Sequence, residues 1–258
     1  MDENAFRKLL SDLPLGGLRY FGQVGSTNDE ALAWATKHAP DLSLVYAEQQ
    51  TSGRGRMGRR WFTPPGAALA LSLLLRPSGT EREHIALFSG LGALALVTAL
   101  KKYGITAQIK WPNDVLIDRR KVAGILVETV WMGARAESVV LGIGINVTPE
   151  SLPPPEALTF PATCVLSEAP GPVERFDLLH ILLEAIIAWR PKLASDAFLG
   201  AWDASLAFRG ETVQVWVGEA EPTLGQVAGI EAEGNLRLSL STGETSVVRF
   251  GDVHLRPL

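Results

Sequence analysis

Val115-Leu-Ile-Asp-Arg-Arg-Lys121-Val-Ala-Gly-Ile-Leu-Val-Glu128 reads as two apolar, β-branched runs around a charged turn, the pattern of a hairpin within a sheet. A two-residue turn at Arg119 and Arg120 would pair Asp118 with Lys121 and set Asp114 and Lys121 on one face, whereas a slip of one residue would separate them. Outward from this hairpin, short β-leaning runs at 44–48, 67–75, 108–111 and 138–145 extend the same sheet. Helical periods lie between and after them, at 28–37, 85–102, 176–189 and 198–206; Phe176, Leu179, Leu183, Ile186 and Ile187 recur on one face of the third. The class is α+β with a mixed sheet.

The proline-dense segment 149–172, with Pro149, Pro153, Pro154, Pro155, Pro161, Pro170 and Pro172, has the composition of a linker. The amphipathic helices after it need the upstream core to cover their apolar faces, so the domain boundary is placed instead at Arg209 and Gly210. Beyond it the sequence turns to short alternating strands at 213–217, 236–240 and 247–250, with Gly234-Asn235 and Thr242-Gly243 turns. A small β-barrel at 210–258 is predicted after a catalytic-sized domain at 1–209.

With 258 residues and 47% hydrophobic content, the chain can bury one sizeable core. Its net charge of −4 and pI near 5.7 argue against a partner that is a nucleic-acid polymer, which draws Lys and Arg over a whole face. Cys164 stands alone, which excludes an intrachain disulfide framework and a multi-cysteine metal site. Asp2, Glu3, Arg7 and Lys8 interrupt the start, so no secretory signal is read there and the cytoplasm is the expected compartment. The apolar stretch before Lys101 and Lys102 is broken by Ser89, Gly90 and Gly92 and falls short of the roughly 20 residues of a membrane span. It is a buried core helix.

Against that acidic background, Gly53-Arg-Gly-Arg-Met-Gly-Arg-Arg-Trp61 puts four arginines and three glycines into one flexible stretch. Arginine forks match phosphate and carboxylate oxygens, and glycine lets backbone approach an anion closely. The Gly-x-Gly-x-x-Gly spacing is not a dinucleotide fingerprint, because Trp61-Phe-Thr-Pro-Pro-Gly66 cannot continue a helix from its third glycine. A loop able to fold over a bound anion and exclude water remains. Ser26-Thr-Asn-Asp-Glu30 opens a helix; Thr27 and Glu30 have capping-box spacing, and the same polar cluster could receive a ligand head group. Lys110-Trp-Pro-Asn-Asp114 is either turn chemistry or a ligand platform. In Gly142-Ile-Gly-Ile-Asn146-Val, Gly142 and Gly144 would admit a flat ring to the sheet, and Asn146 carries an amide suited to an adenine edge.

In this order, these four segments resemble the biotin protein ligase family, with the likeness running from about Ser26 to Asn146 and the C-terminal barrel agreeing. The resemblance implies a class II aminoacyl-tRNA synthetase/biotinyl ligase-like catalytic domain followed by an SH3-like barrel. It implies a two-step reaction: biotin and ATP, supplied with Mg²⁺, give biotinyl-5′-AMP, and a lysine of a biotin carboxyl carrier protein, as of acetyl-CoA carboxylase, takes the biotinyl group. Carried over by residue, Ser26, Thr27, Asn28 and Gln50 would contact the biotin head group, while Trp61 and Gly124 line its channel. Arg54, Gly55 and Arg56 would contact biotin and the adenylate, joined on the nucleotide side by Arg59, Asn113 and Asn146. Lys121 would neutralise first the biotin carboxylate and then the acyl phosphate, with Arg56 and Asp114 as its catalytic companions. No metal ligand is assigned.

Bifunctional members of that family carry an N-terminal helix-turn-helix domain, and the roughly 25 residues before Ser26 are too few for one, so DNA is not an expected partner. Several members pair through their sheets, which makes a homodimer possible. A lipoate or octanoyl ligase would share the fold but its motifs are missing. A non-catalytic nucleotide- or nucleic-acid-binding module is disfavoured by the acidic pI.

Overall fold

The computed structural model describes residues 2–158, 160–218, 220–250 and 253–258. The two domain ranges read from sequence therefore each include residues outside this description. In chain order the elements are α1 (Glu3–Leu9), β1 (Gly17–Phe21), α2 (Thr27–Ala35), β2 (Ser43–Ala47), β3 (Ala68–Leu75), α3 (Leu87–Lys101), β4 (Gln108–Lys110), β5 (Asp114–Ile117), β6 (Arg120–Met132), β7 (Arg135–Asn146), α4 (Val165–Glu168), α5 (Arg175–Trp189) and α6 (Asp196–Ala204). Five further strands follow: β8 (Thr212–Val217), β9 (Thr223–Ile230), β10 (Leu236–Ser239), β11 (Thr245–Val248) and β12 (Val253–Pro257).

Among the described residues β1 to β7 form one sheet in the order β1-β2-β3-β7-β6-β5-β4, parallel only between β1 and β2. This is the mixed sheet expected. Period-two alternation divides its two faces cleanly. Leu69, Leu71 and Leu73 of β3, Leu141, Ile143 and Ile145 of β7 and Ile125 of β6 join α3 and α5 in the main core. The alternate residues, Ala70, Ser72, Gly142, Gly144 and Gly124, line up in register on the other face. α2 covers one end of that face through Ala31, Val45 and Val140; the rest is left open for a ligand. Leu87–Lys101 is buried nearly all round, as read from its composition, and no helix among the described residues is long and apolar enough to cross a membrane.

Two local readings are corrected. The hairpin turn is Asp118-Arg119, both at positive φ (47° and 60°), instead of Arg119-Arg120, and Lys121 pairs with Leu116 instead of Asp118. Asp tolerates the left-handed region better than most residues, which favours it at the first turn position. A bulge at the register shift between Val115 and Leu116 leaves Val122 unpaired, and beyond it Asp114 pairs with Gly124. An unbroken ladder would put Lys121 and Gly124 on opposite faces; the bulge brings both to the face of Asp114. The capping box also fails to form: Ser26 is the N-cap of α2 without a side-chain cap, and the Thr27 amide donates to Gln50 Oε1 at 2.8 Å. The described part of the proline-dense segment packs against the sheet, in keeping with a domain boundary placed beyond it: Lys121 N–H donates to the Pro161 carbonyl (2.7 Å) and Thr163 N–H to that of Lys121 (2.9 Å).

The C-terminal strands form a second sheet, β11-β10-β9-β8-β12, with β9 and β12 added to the three strands read from sequence. Its apolar side, with Val213, Val215, Leu236 and Leu238, is continuous with the main core. Trp111 fixes the junction: its indole N–H donates to the Gly234 carbonyl at 3.0 Å, and its ring meets Phe250 at 5.2 Å between centroids.

Candidate active site

A cavity of about 910 Å³ opens over the glycine-bearing face of the large sheet. Its floor is bare backbone for a steric reason. A Cβ at Gly142 would lie 2.2 Å from Asn28 Oδ1, and one at Gly144 would lie 2.3 Å from the Trp61 indole. The flat ring that the Gly-Ile-Gly pattern anticipates is, in this structure, the chain's own Trp61. Its indole nitrogen is buried with no hydrogen-bond partner, so the ring has a donor to offer.

At one end the N-terminus of α2 builds a polar recess. Gln50 Oε1 accepts from both the Thr27 amide (2.8 Å) and hydroxyl (3.1 Å), while Gln50 Nε2 donates to Thr63 Oγ1 (3.2 Å). Ser72 donates to Asn28 Oδ1 at 2.5 Å and lies 2.8 Å from Thr27 Oγ1. Asn28 Nδ2 donates to Glu128 at 2.7 Å. Ser26, Thr27 and Asn28 are all buried, so this polarity is held by hydrogen bonds and not by bulk water.

At the other end sits a carboxylate between two ammonium groups. Asp114 Oδ1 is 2.5 Å from Lys121 Nζ, and its Oδ2 is 3.5 Å from Lys110 Nζ. Burial alone would raise the Asp114 carboxyl, but Lys121, with Lys110 behind it, more than offsets that and holds it below the usual carboxylate range. Burial pushes the Lys110 ammonium down, with Asp114 opposing; the Phe160 ring lies 4.3 Å below that nitrogen.

The arginine loop closes the side of the cavity. Arg56 donates to Asn113 Oδ1 (3.0 Å), whose Nδ2 donates to the Ile125 carbonyl (2.8 Å), so Asn113 ties the arginine to the sheet. Arg54 turns its fork to Glu128 (3.0 and 2.7 Å) and Asp29 (2.6 Å). Asn146 also lines the cavity, with Nδ2 donating to the Thr163 carbonyl at 3.1 Å. All of the residues assigned from sequence, from Ser26 to Asn146 and including Gly55, Arg59 and Gly124, border this one space. Sequence reasoning missed Ser72, Glu128 and the role of Lys110. The first two had a signal: a lone hydroxyl inside Ala-Leu-Ala-Leu-Ser-Leu-Leu-Leu and a carboxylate closing an apolar strand.

Among the described lining residues there are seven cations, Arg54, Arg56, Arg59, Arg60, Lys110, Lys121 and Arg256, and one carboxylate, Asp114. Such a site can hold two anionic reactants side by side out of water, the requirement for joining an acid to a nucleotide. No group of three or more metal-ligating side chains occurs among the described residues. Residues 20–146 match the Biotin/lipoate A/B protein ligase family. The chain is 39% identical over 227 residues to the biotin--[acetyl-CoA-carboxylase] ligase of Paracoccus denitrificans, covering 84% of this chain and 91% of that one. It is 35% identical over 271 residues to the corresponding ligase of Mycobacterium tuberculosis, covering 99% and 96%. A structure of a biotin protein ligase from Aquifex aeolicus in complex with biotin and ATP matches with a TM-score of 0.80 at 27% identity, covering 94% of this chain and 99% of that one. The chain belongs to the biotin protein ligases within that family.

Proposed function

We propose that this chain activates biotin with ATP to biotinyl-5′-AMP and transfers the biotinyl group to a lysine of a biotin carboxyl carrier protein. The observation that carries this reading is the convergence of Lys121, from β6, and Arg56, from the loop, on the cavity that also contains the Ser26–Gln50 recess. The recess takes the polar head of biotin, and its carboxylate reaches Lys121. When that carboxylate attacks the α-phosphate, two anions meet, and Lys121 and Arg56 offset the repulsion. Asn113 positions Arg56, and Asn146 takes the adenine. Mg²⁺ enters bound to ATP as part of the substrate; a lone carboxylate shared by two lysines does not make a protein-built metal site.

In the second step the amine of the carrier lysine must be neutral, although at pKa ~10.4 only about 0.1% is deprotonated near neutral pH, a cost of roughly 4 kcal/mol. Asp114, held ionised by its two lysines, is a weak base for an ammonium. Its task is to attract and orient the incoming lysine. We read the C-terminal sheet as an SH3-like barrel and residues 210–258 as a second domain after 1–209; its separate five-stranded sheet supports this, and Leu255 and Arg256 bring it to the cavity rim. The need for ATP and a carrier enzyme fits a cytoplasmic protein.

The direct test is incubation with biotin, MgATP and a carrier domain, followed by the mass of the carrier. A gain of one biotinyl group is expected, and an unmodified carrier with no pyrophosphate released would overturn the reading. Arg56→Gly loses a loop contact to Asn113 as well as a charge, so it is expected to form adenylate but release it about tenfold faster; an unchanged off-rate would remove the retaining role from Arg56.

The Asp114 pair also sets an acid limit. Because its folded value lies below the ordinary 3.8, the pairing contributes stability that is present above that pH and is lost as pH falls through the lower folded value. Asp114→Asn should lower the melting temperature near neutral pH, with the gap to wild type closing as the pH falls through the lowered folded value of Asp114. A gap independent of pH would mean that the carboxylate charge is not what holds the two lysines.

A further inference from the structure

We propose that Glu128 is a positioning residue that fastens the base of the arginine loop to the sheet through Arg54, so that the loop is anchored at its start before any ligand arrives. The proposal rests on the reading of the cavity as the substrate site. It arises from the way one carboxylate is used. Glu128 Oε1 accepts from Arg54 Nη1 at 3.0 Å, and Oε2 accepts from Arg54 Nη2 at 2.7 Å and from Asn28 Nδ2 at 2.7 Å. Asp29 takes Arg54 Nη2 as well, at 2.6 Å. Both terminal nitrogens of the guanidinium are thus committed to the protein's own carboxylates.

The geometry distinguishes this pair from an ordinary surface ion pair. An exposed Arg–carboxylate pair contributes little, but a bidentate fork that shares its carboxylate with a buried amide is a network. Asn28 is buried and sits where Gly142 leaves room for its oxygen. Glu128 therefore joins two segments 74 and 100 residues away in sequence, the loop at Arg54 and the head of α2 at Asn28, and both border the cavity. Further along the loop Arg56 donates to Asn113 Oδ1 and Arg60 to the Thr51 carbonyl. Arg54 fixes the loop's origin through a paired carboxylate that also holds the head of α2.

Two variants of Glu128 separate charge from hydrogen bonding. Glu128→Gln keeps an acceptor for Asn28 but withdraws the charge from Arg54; Glu128→Asp keeps the charge. Limited trypsin digestion of the ligand-free protein reads the anchor without reference to catalysis. In Glu128→Gln, cleavage after Arg56 and Arg59 is expected to be roughly tenfold faster, on the scale of one lost charge-assisted contact, with Glu128→Asp restoring much of the protection. Arg54→Met should match Glu128→Gln, and the double variant should be no faster than either single. In Glu128→Gln, adenylate formation should then show a raised KM for biotin with kcat nearly kept. Unchanged cleavage in Glu128→Gln, or additive effects in the double variant, would overturn the anchor. Protection that follows these expectations in a protein making no adenylate would instead leave the anchor standing and remove the proposed activity.

Discussion

Lys121→Ala is expected to slow adenylate formation by roughly 10²–10³-fold, about 3–4 kcal/mol of lost transition-state stabilisation, while the chain keeps its fold. The ammonium is the cation nearest the cavity's only lining carboxylate among the described residues, and the bulge at Val122 sets it on the face of that carboxylate. A preorganised charge in a site that excludes water acts more strongly than the same charge in solvent, and nothing flexible replaces it. The fold should survive because Asp114 retains a second partner, Lys110, 3.5 Å away, and because β6 keeps its long ladder to β7. Pyrophosphate release and a thermal melt on the same sample separate the two effects. Near-normal release would show that the acid and the α-phosphate do not meet beside Lys121. A collapsed melt would show that the lysine is structural.

How far the site could be read from sequence differs from place to place. The sheet was legible because the strands alternate or run apolar, and α3 because Leu-Phe-Ser-Gly-Leu-Gly-Ala-Leu-Ala-Leu is apolar over a helical length. Gly17–Phe21 was not, since Gly-Leu-Arg-Tyr-Phe is short and its residues are all only half-buried at the sheet edge. Thr223–Ile230 was hidden by two glycines, Gly225 and Gly229, which carry no side-chain pattern. The cavity residues were named from motifs, but their partners were not. Thr27 is satisfied by Gln50, 23 residues on, and Arg54 by Glu128, 74 residues on. Those pairings join segments that only the tertiary fold brings together; the bulge at Val122, which sets Lys121 on the face of Asp114, is likewise not marked by a turn residue at its own position in the run Val-Ala-Gly-Ile-Leu-Val.

Gly144→Val is expected to weaken biotin binding by roughly 100-fold, a penalty of ~3 kcal/mol at the upper end for overpacking, with little change in global stability. The position is a strand residue, and a β-branched side chain suits the strand itself. What it cannot share is the space above: even a Cβ would sit 2.3 Å from the Trp61 indole, with Gly124 directly opposite on β6. Val would therefore lift Trp61 off the floor. The ring belongs to a half-exposed loop segment, so it can move outward at modest cost to the fold; it would then lose its stacking over the glycines and its 5.5 Å approach to Lys121 Nζ. Calorimetric titration with biotin, set beside a melt, measures both consequences, and Gly144→Ala should fall between wild type and Gly144→Val. Undiminished affinity in Gly144→Val would show that Trp61 does not line the ligand channel and that the bare floor serves packing alone.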